Sequence, residues 1–327
     1  MKTKFVILAL VLALTGVACD DGESSDAKDT PTTAAAGSGA CTGKFPAMIE
    51  AANGPVTIED CPERIVSLAP VATETLFAIG AGDQVVAVDD QSNYPDDIPK
   101  SDLSGFNPNV EAIAELEPDL VVLSNDIEDI VAALGRLDIP TILHSAPTDL
   151  EGEYEQIEQL GRATGHADQA ADVVAGMKSE IEELVASVPE LADPPTYYFE
   201  LDESLFTITS NTFAGSVLAL AGLQNVADPA DEDGSGYPQL SAEFLVEADP
   251  DFIFLADTKC CAQSAETVKE RPAFAGLTAV QEGRVVELDD DIASRWGPRI
   301  VELLRAAVDA VKSLAPAEAS TSTSQAA

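Results

Sequence analysis

The pattern of apolar and polar positions occurs twice in this chain, more than a hundred residues apart. Residues 109–123 (NVEAIAELEPDLVVL) align without gaps on 241–255 (SAEFLVEADPDFIFL), which places Glu111 on Glu243. In each copy a polar cap precedes an amphipathic helix, a Pro-Asp pair ends it, and a short apolar run predicts a buried strand. A second pair of segments is similar, 74–88 and 215–229. The repetition predicts two similar αβ lobes with a cleft between them.

The rest of the pattern predicts an α/β fold of two Rossmann-like lobes joined by one long backbone helix. Apolar runs that predict strands lie at 64–68, 85–88, 141–144, 197–201 and 284–288. Strands that alternate with helices favour parallel sheets. Thr73 is placed to cap the helix after the first strand, with Glu74 beside its positive end. Residues 168–188 keep apolar positions three and four apart without a proline, so one long helix is predicted to bridge the lobes. The predicted boundaries are 41–164, 165–192 and 193–314.

The N-terminus predicts export. Residues 1–18 combine Lys2 and Lys4 with an apolar run that is too short to span a bilayer, as in a secretory signal peptide. Residues 15–19 resemble a bacterial lipobox, which implies cleavage before Cys19 and lipidation of its thiol, although Gly16 stands where a leucine is usual. The alternative is a plain secretory peptide with Cys19 lost or free. Residues 19–40 are acidic and rich in small residues, which favours the lipid-anchored reading with a disordered tether. Residues 315–327 are predicted to be a disordered tail.

Four further cysteines are compatible with disulfides in an exported protein. A bridge between Cys41 and Cys61 is expected to stabilise the fold by about 3 kcal/mol. Cys260 and Cys261 are adjacent, so a bond between them would be strained. Cross-pairing with the first two cysteines is the alternative, and the sequence leaves the pairing open.

Composition and charge narrow the classes of function. The 327 residues suit two domains, and the formal charge of −41 excludes nucleic acid as a partner. We interpret the acidity as a solvated surface suited to salt. No nucleophile with its base, paired-carboxylate site, P-loop or metal spacing was found, which predicts a protein without catalytic residues, metal or cofactor. The two histidines, His144 and His166, fall in a strand and at a helix start and are predicted to be structural.

Four segments together resemble a known family: 63–95, 109–123, 241–255 and 283–304. In order and spacing they resemble the helical-backbone, class III solute-binding proteins of ABC importers for vitamin B12, ferric siderophores and haem. The resemblance implies a ligand cleft between two αβ lobes, and an ABC permease and ATPase as partners. Together with the lipobox-like residues 15–19, it predicts a monomer anchored to the membrane by lipid and facing the outside or the periplasm.

The same resemblance assigns the contacts with the permease. Family members dock through one glutamate on each lobe, and the matching positions are Glu111 and Glu243. Opposite charges at an interface fix register and speed encounter. Both residues also follow helix caps, Asn109 and Ser241, where an acid stabilises the helix dipole. The two roles are compatible.

Ligand contacts implied by the resemblance are Tyr94 and Phe106 in the first lobe, and Tyr237, Arg295 and Trp296 in the second. Aromatic faces suit flat or bulky chelates. Alternatively, Trp296 fills a hinge beside Gly297 and Pro298. The alternative for Arg295 is an ion pair with the acidic run 289–291, and for this residue it is the preferred interpretation.

The cargo is expected to be an iron or cobalt chelate, with a ferric siderophore ahead of a corrinoid. The tryptophans of vitamin B12 binders expected near Phe106 and Ser124 are absent. Haem is an alternative cargo, with Tyr94 and Tyr237 as available iron ligands. Bare zinc or manganese is disfavoured because the chain has only two histidines. A surface receptor lipoprotein that has lost transport is the remaining alternative.

Overall fold

The computed structural model describes residues 41–315, which belong to one compact unit. The signal peptide, Cys19, the tether and all but the first residue of the C-terminal tail lie outside the described residues. Within residues 41–315, no helix has both the length and the apolar character needed to cross a bilayer.

The first lobe is a parallel four-stranded sheet preceded by an antiparallel hairpin, β1 (Ala47–Ala51) and β2 (Gly54–Ile58). Its further elements, in chain order, are β3 (Ile65–Leu68), α1 (Pro70–Ala78), β4 (Val85–Val88), α2 (Val110–Ala114), β5 (Leu120–Leu123), α3 (Ile130–Gly135) and β6 (Thr141–Leu143). The strand order is β4-β3-β5-β6. The strands are buried apolar runs, as expected for a sheet covered on both faces.

Two helices follow in the chain between the sheets of the two lobes. Helix α4 (Leu150–Thr164) begins at the cap Asp149 and ends at Gly165, whose φ of 77° lies in the left-handed region. Helix α5 (Ala167–Ala186) occupies most of the segment for which one long helix was predicted. Its apolar residues are buried at intervals of three and four, against α4 and the last helix of the chain.

The second lobe repeats the topology of the first. Its elements are β7 (Thr196–Glu200), α6 (Phe213–Ala219), β8 (Gln224–Asn225), α7 (Ala242–Ala248), β9 (Phe252–Leu255), α8 (Thr258–Cys261), α9 (Ala265–Glu270), α10 (Thr278–Gln281), β10 (Val285–Glu287), α11 (Asp290–Ala293) and α12 (Ile300–Lys312). The parallel sheet has the order β8-β7-β9-β10, which matches β4-β3-β5-β6 strand for strand. The predicted α/β class with two similar lobes is confirmed.

Two local features differ from expectation or resolve an open choice. Helix α1 begins after Ala69 with Pro70 in its first turn, so Thr73 lies inside the helix and does not cap it. Its hydroxyl donates to Ser67 Oγ, at 2.9 Å. The structure has the disulfides Cys41–Cys61 and Cys260–Cys261, without cross-pairing.

Candidate ligand-binding cleft

A cavity of about 730 Å³ lies between the two lobes. The first lobe contributes the carboxyl ends of its parallel strands and the loops that follow them, which meet at one edge of the sheet. The second lobe contributes the segment from α11 to Trp296. The lining residues are Leu68, Pro70, Val71, Asp89, Gln91, Gly105, Phe106, Ser124, Asn125, Asp126, Leu143, Ser145, Ala146, Asp291, Ser294, Arg295 and Trp296. Its size and mixed lining are typical of a site for a small molecule.

Two of the five predicted ligand residues, Phe106 and Trp296, give this cavity aromatic walls. The Phe106 side chain is 68% exposed, so a large apolar face is available to a ligand. Trp296 is half-buried, and its indole Nε1 donates a hydrogen bond to Gln156 Oε1 on α4, at 3.1 Å. That bond fixes the ring, because a buried indole N–H needs an acceptor. The sequence pattern had not indicated Gln156.

A second chamber of about 270 Å³ shares Ala146, Ser294, Arg295 and Trp296 with the first. Tyr237 lines this chamber and is 53% exposed. The structure therefore brings Phe106, Arg295, Trp296 and Tyr237 around two adjoining spaces, with Arg295 and Trp296 in the wall of both.

Tyr94, the fifth predicted ligand residue, lines neither chamber. Its ring lies 4.1 Å from the Arg299 guanidinium, in a cation–π contact.

The Arg295 guanidinium is held by four acceptors. Nη1 donates to Glu74 Oε1 at 3.0 Å and to Asn93 Oδ1 at 2.8 Å. Nη2 donates to the Gln91 carbonyl at 3.0 Å and contacts Asp291 Oδ1 at 2.6 Å. Arg295 thus pairs with the acidic run, as the preferred reading expected, and in addition with the first lobe.

Glu74 is the centre of this network, although the sequence had placed it only near a helix dipole. Its side chain is 4% exposed and accepts from Arg299 Nε at 2.7 Å and Nη2 at 2.6 Å, as well as from Arg295. The bidentate geometry suits a guanidinium and a carboxylate, and the Glu74 partner raises the pKa of Arg299. A buried carboxylate of the first lobe is therefore neutralised by two arginines of the second. The only signal in the sequence is the presence of two arginines near the end of an acidic chain.

Acidic side chains complete the cleft. Burial raises the pKa of Asp89, against the effect of hydrogen bonds from Ser92. A Cβ on Gly105 would lie 2.7 Å from the Leu68 carbonyl oxygen and 2.8 Å from Asp89 Oδ2, so this loop requires glycine. Burial alone would raise the pKa of Asp291, yet hydrogen bonds and charges from Lys259, Arg295 and Asn93 lower it.

The predicted docking residues, Glu111 and Glu243, lie in the first turns of α2 and α7, are exposed and do not line either chamber. Asn109 Oδ1 accepts from the Glu111 and Ala112 N–H groups, at 3.0 and 3.1 Å. Ser241 Oγ accepts from Phe244 N–H at 3.1 Å. Neither glutamate forms an ion pair with any of residues 41–315. Both carboxylates are therefore available to a partner.

Both histidines are buried. His144 Nε2 lies 2.8 Å from Gln159 Oε1, and burial lowers its pKa to about 4. His166 precedes α5, and its Nδ1 lies 2.9 Å from the Thr164 carbonyl oxygen. Within the described part of the chain, no three His, Cys, Asp or Glu side chains are grouped so as to hold a metal ion.

Comparison with known proteins gives consistent matches over both lobes. A family model described as periplasmic binding protein matches residues 65–292. The chain is 29% identical over 312 residues to YvrC of Bacillus subtilis, an uncharacterized ABC transporter substrate-binding lipoprotein, covering 92% of this chain and 95% of the relative. It is 31% identical over 306 residues to a cobalamin-binding protein of Halobacterium salinarum, covering 91% and 80%. The solved structure of the periplasmic vitamin B12 binding protein BtuF of Vibrio cholerae matches with a TM-score of 0.63 and 26% identity, covering 77% and 97%.

Proposed function

Because the chain belongs to the periplasmic binding protein family, as a substrate-binding protein of an ABC importer, we propose that it captures a metal chelate and docks on its permease through Glu111 and Glu243. Membership makes it a solute-binding protein and not an enzyme, with a permease, an ATPase and a small-molecule ligand as partners. The observation that carries the proposal is the 730 Å³ cavity between the lobes, with Phe106 and Trp296 in its wall.

The proposed cargo is a cobalamin-type chelate, with a ferric siderophore as the second candidate. The sequence alone favoured the siderophore. The relative named cobalamin-binding protein and the vitamin B12 binding structure support the reverse order. In place of the absent tryptophans, Phe106 and Trp296 supply aromatic faces to the cavity, which supports this order.

The direct test of cargo is calorimetric titration of the purified mature chain with cobalamin, a ferric hydroxamate, a ferric catecholate and haem. Tight one-to-one binding of cobalamin is expected. Tight binding of a different chelate would identify that chelate as the cargo instead. If the folded protein binds none of the four compounds, chelate capture is refuted.

Two alternatives differ from this proposal in observable ways. Haem binding would use an iron ligand in the cleft, and Tyr237 is the tyrosine that lines a chamber, while His144 is held by Gln159. A haem complex would show an iron–tyrosinate spectrum that Tyr237→Phe abolishes. A receptor without transport would lack a permease and an ATPase encoded beside its gene.

We also propose that the mature chain is lipid-anchored through Cys19, exported and monomeric. The lipobox-like residues 15–19 and the lipoprotein name of the Bacillus relative support the anchor.

Docking is proposed from three facts: the repeat places Glu111 and Glu243 at equivalent positions, both are exposed, and neither is paired within residues 41–315. The double variant Glu111→Ala with Glu243→Ala is expected to keep ligand affinity, since neither residue lines a chamber, and to abolish uptake in cells that express the cognate permease and ATPase.

The matched control for docking is Glu182→Ala with Glu183→Ala. These two exposed glutamates lie on α5, and their removal changes the net charge equally. The control should transport as the wild type does. Normal uptake by the docking variant would refute the assignment, and equal loss in both variants would attribute the effect to net charge.

A further inference from the structure

The cations around the cleft are already occupied by carboxylates of the protein. Both terminal nitrogens of Arg295 are bound within the protein, by Glu74, Asp291, Asn93 and the Gln91 carbonyl. Arg299 binds both oxygens of Glu74. Arg295 therefore has no terminal N–H left for a second carboxylate or a phosphate, and Arg299 lines neither chamber.

The third cation, Lys259, is occupied in the same way. Its Nζ donates to Asp289 Oδ1 at 2.6 Å and to Asp291 Oδ2 at 2.9 Å. These bonds raise the pKa of Lys259. Lys259 therefore supports the acidic segment that lines the cleft, and it lines neither chamber itself.

Two acids of the cavity wall have no such partner. Neither Asp89 nor Asp126 forms an ion pair with any of residues 41–315. Asp126 is exposed, and its Oδ1 accepts one backbone bond, from Val131 N–H at 2.9 Å. Three carboxylates and one guanidinium line the cavity, so its formal charge is negative.

We infer that this cleft selects an uncharged chelate rich in hydrogen-bond donors and rejects anionic chelates, with Glu74 as the positioning residue that sets this specificity through Arg295 and Arg299. The inference rests on the proposed function and deepens it. The carboxamide side chains of a corrinoid, or a neutral ferric hydroxamate, offer no charge to be repelled, and amide N–H groups can donate to Asp126. A trianionic ferric tris-catecholate would be repelled by the carboxylates of the cavity, and no unpaired cation among the described residues of the cavity wall would offset that repulsion. The two propionates of a haem would be repelled in the same way.

The expected size of the effect follows from Coulomb's law. Because Asp126 is exposed, its charge acts largely through water, with a dielectric constant of about 80, and one like-charge pair several ångströms apart then lowers affinity about tenfold or less. The formal charge of −41 on the whole chain also repels anions, but salt screens that contribution within about 8 Å at physiological ionic strength. Discrimination that persists in salt therefore reports the carboxylates of the cleft.

Trp296 makes the test direct, because it is the single tryptophan of the chain and lines the cavity. The probes are cyanocobalamin, a neutral ferric hydroxamate and a trianionic ferric tris-catecholate, titrated in low and physiological salt with calorimetry and Trp296 fluorescence as readouts. The wild type should bind a neutral probe at least about tenfold more tightly than the catecholate in physiological salt.

The matched variants are Asp126→Asn and Asp129→Asn. Asp129 is exposed, lies three residues away and lines neither chamber, and asparagine tolerates its left-handed backbone, φ 57°. Asp126→Asn keeps an acceptor for Val131 N–H and should raise the catecholate-to-neutral affinity ratio about threefold to tenfold. Asp129→Asn should leave that ratio unchanged.

Glu74→Gln tests the positioning role. It leaves Arg295 and Arg299 without their shared anion, so the catecholate-to-neutral ratio should rise and its salt dependence should increase. A merely structural role would weaken both classes of ligand together and leave the ratio constant. If Glu74→Gln does not fold, as judged by circular dichroism, the Asp126 and Asp129 pair decides the question.

Catecholate binding as tight as that of the neutral probes would overturn the inference while leaving chelate capture intact. An unchanged ratio in Asp126→Asn would also overturn it. Failure of all three probes to bind a folded wild type would refute the proposed function, and the inference with it.

Discussion

Single buried carboxylates make the stability of this fold depend on pH. Asp257 follows β9 and is fully buried, and neither of its carboxylate oxygens has a hydrogen-bond partner among residues 41–315. Burial, and then the charge of Glu200, raises its pKa to about 7. Glu200 is fully buried too, but Arg271 binds both of its oxygens, at 2.7 and 2.6 Å. The fold therefore opposes the ionisation of Asp257, whose charge would have no compensating partner among these residues.

The sign of the effect follows from proton linkage. The folded-state pKa of Asp257 exceeds its ordinary value of 3.8, so between about pH 4 and pH 7 this group binds more protons in the folded protein than in the unfolded chain. Stability is lost as pH rises through this window. Asp257→Asn removes the charge, so we expect the free energy of unfolding to rise by about 1–3 kcal/mol at pH 8 and to change little at pH 4.

Thermal or urea unfolding of Asp257→Asn at the two pH values measures this difference. Asp172→Asn, an exposed position on α5, is the control and should have no effect at either pH. An equal gain at both pH values would show that Asp257 ionisation is not the cause.

At the scale of elements, local pattern predicted what depends on neighbours in sequence. The strand at 85–88 was predicted with the bounds that the structure gives to β4, because a buried parallel strand is an uninterrupted apolar run. The repeat at 109–123 and 241–255 predicted α2 with β5 and α7 with β9, since each copy carries its own cap and stop.

What the sequence did not predict depends on contacts that are distant along the chain. Glu74 meets Arg295 and Arg299 across 221 and 225 residues, so no local window contains the pair. The Trp296 bond to Gln156 spans 140 residues. The sequence therefore predicted the wall of the cleft only in part, through aromatic residues and arginines that are rare in this chain.

The caps of the two repeat helices offer a test at this scale. Ser241→Ala removes the acceptor of Phe244 N–H, and we expect a loss of about 1 kcal/mol because one donor of the first turn of α7 is left without its partner. Ser241→Thr keeps a hydroxyl and should retain most of the stability. Chemical unfolding of the three proteins gives the comparison, and equal stability of Ser241→Ala and the wild type would show that the cap contributes nothing.

At the scale of the whole molecule, charge is the dominant property. The chain has 58 acidic and 17 basic residues, so most carboxylates have no cation to pair with. Several of the few arginines are held in buried ion pairs, among them Arg271 with Glu200 and two arginines with Glu74. The remaining carboxylates repel one another across the surface, and that repulsion opposes the compact state.

Salt should therefore stabilise this protein. Raising KCl from 0.1 to 1 M shortens the screening length from about 10 Å to about 3 Å, which weakens repulsion between exposed carboxylates and leaves the buried pairs almost unaffected. We expect Tm to rise, by about 2–4 °C for each kcal/mol of repulsion removed. Calorimetry in KCl measures the rise. Equal volumes of a neutral osmolyte provide the control for general exclusion effects. A flat or falling Tm would show that favourable ion pairs outweigh the repulsion between carboxylates, and that salt does not stabilise this acidic protein.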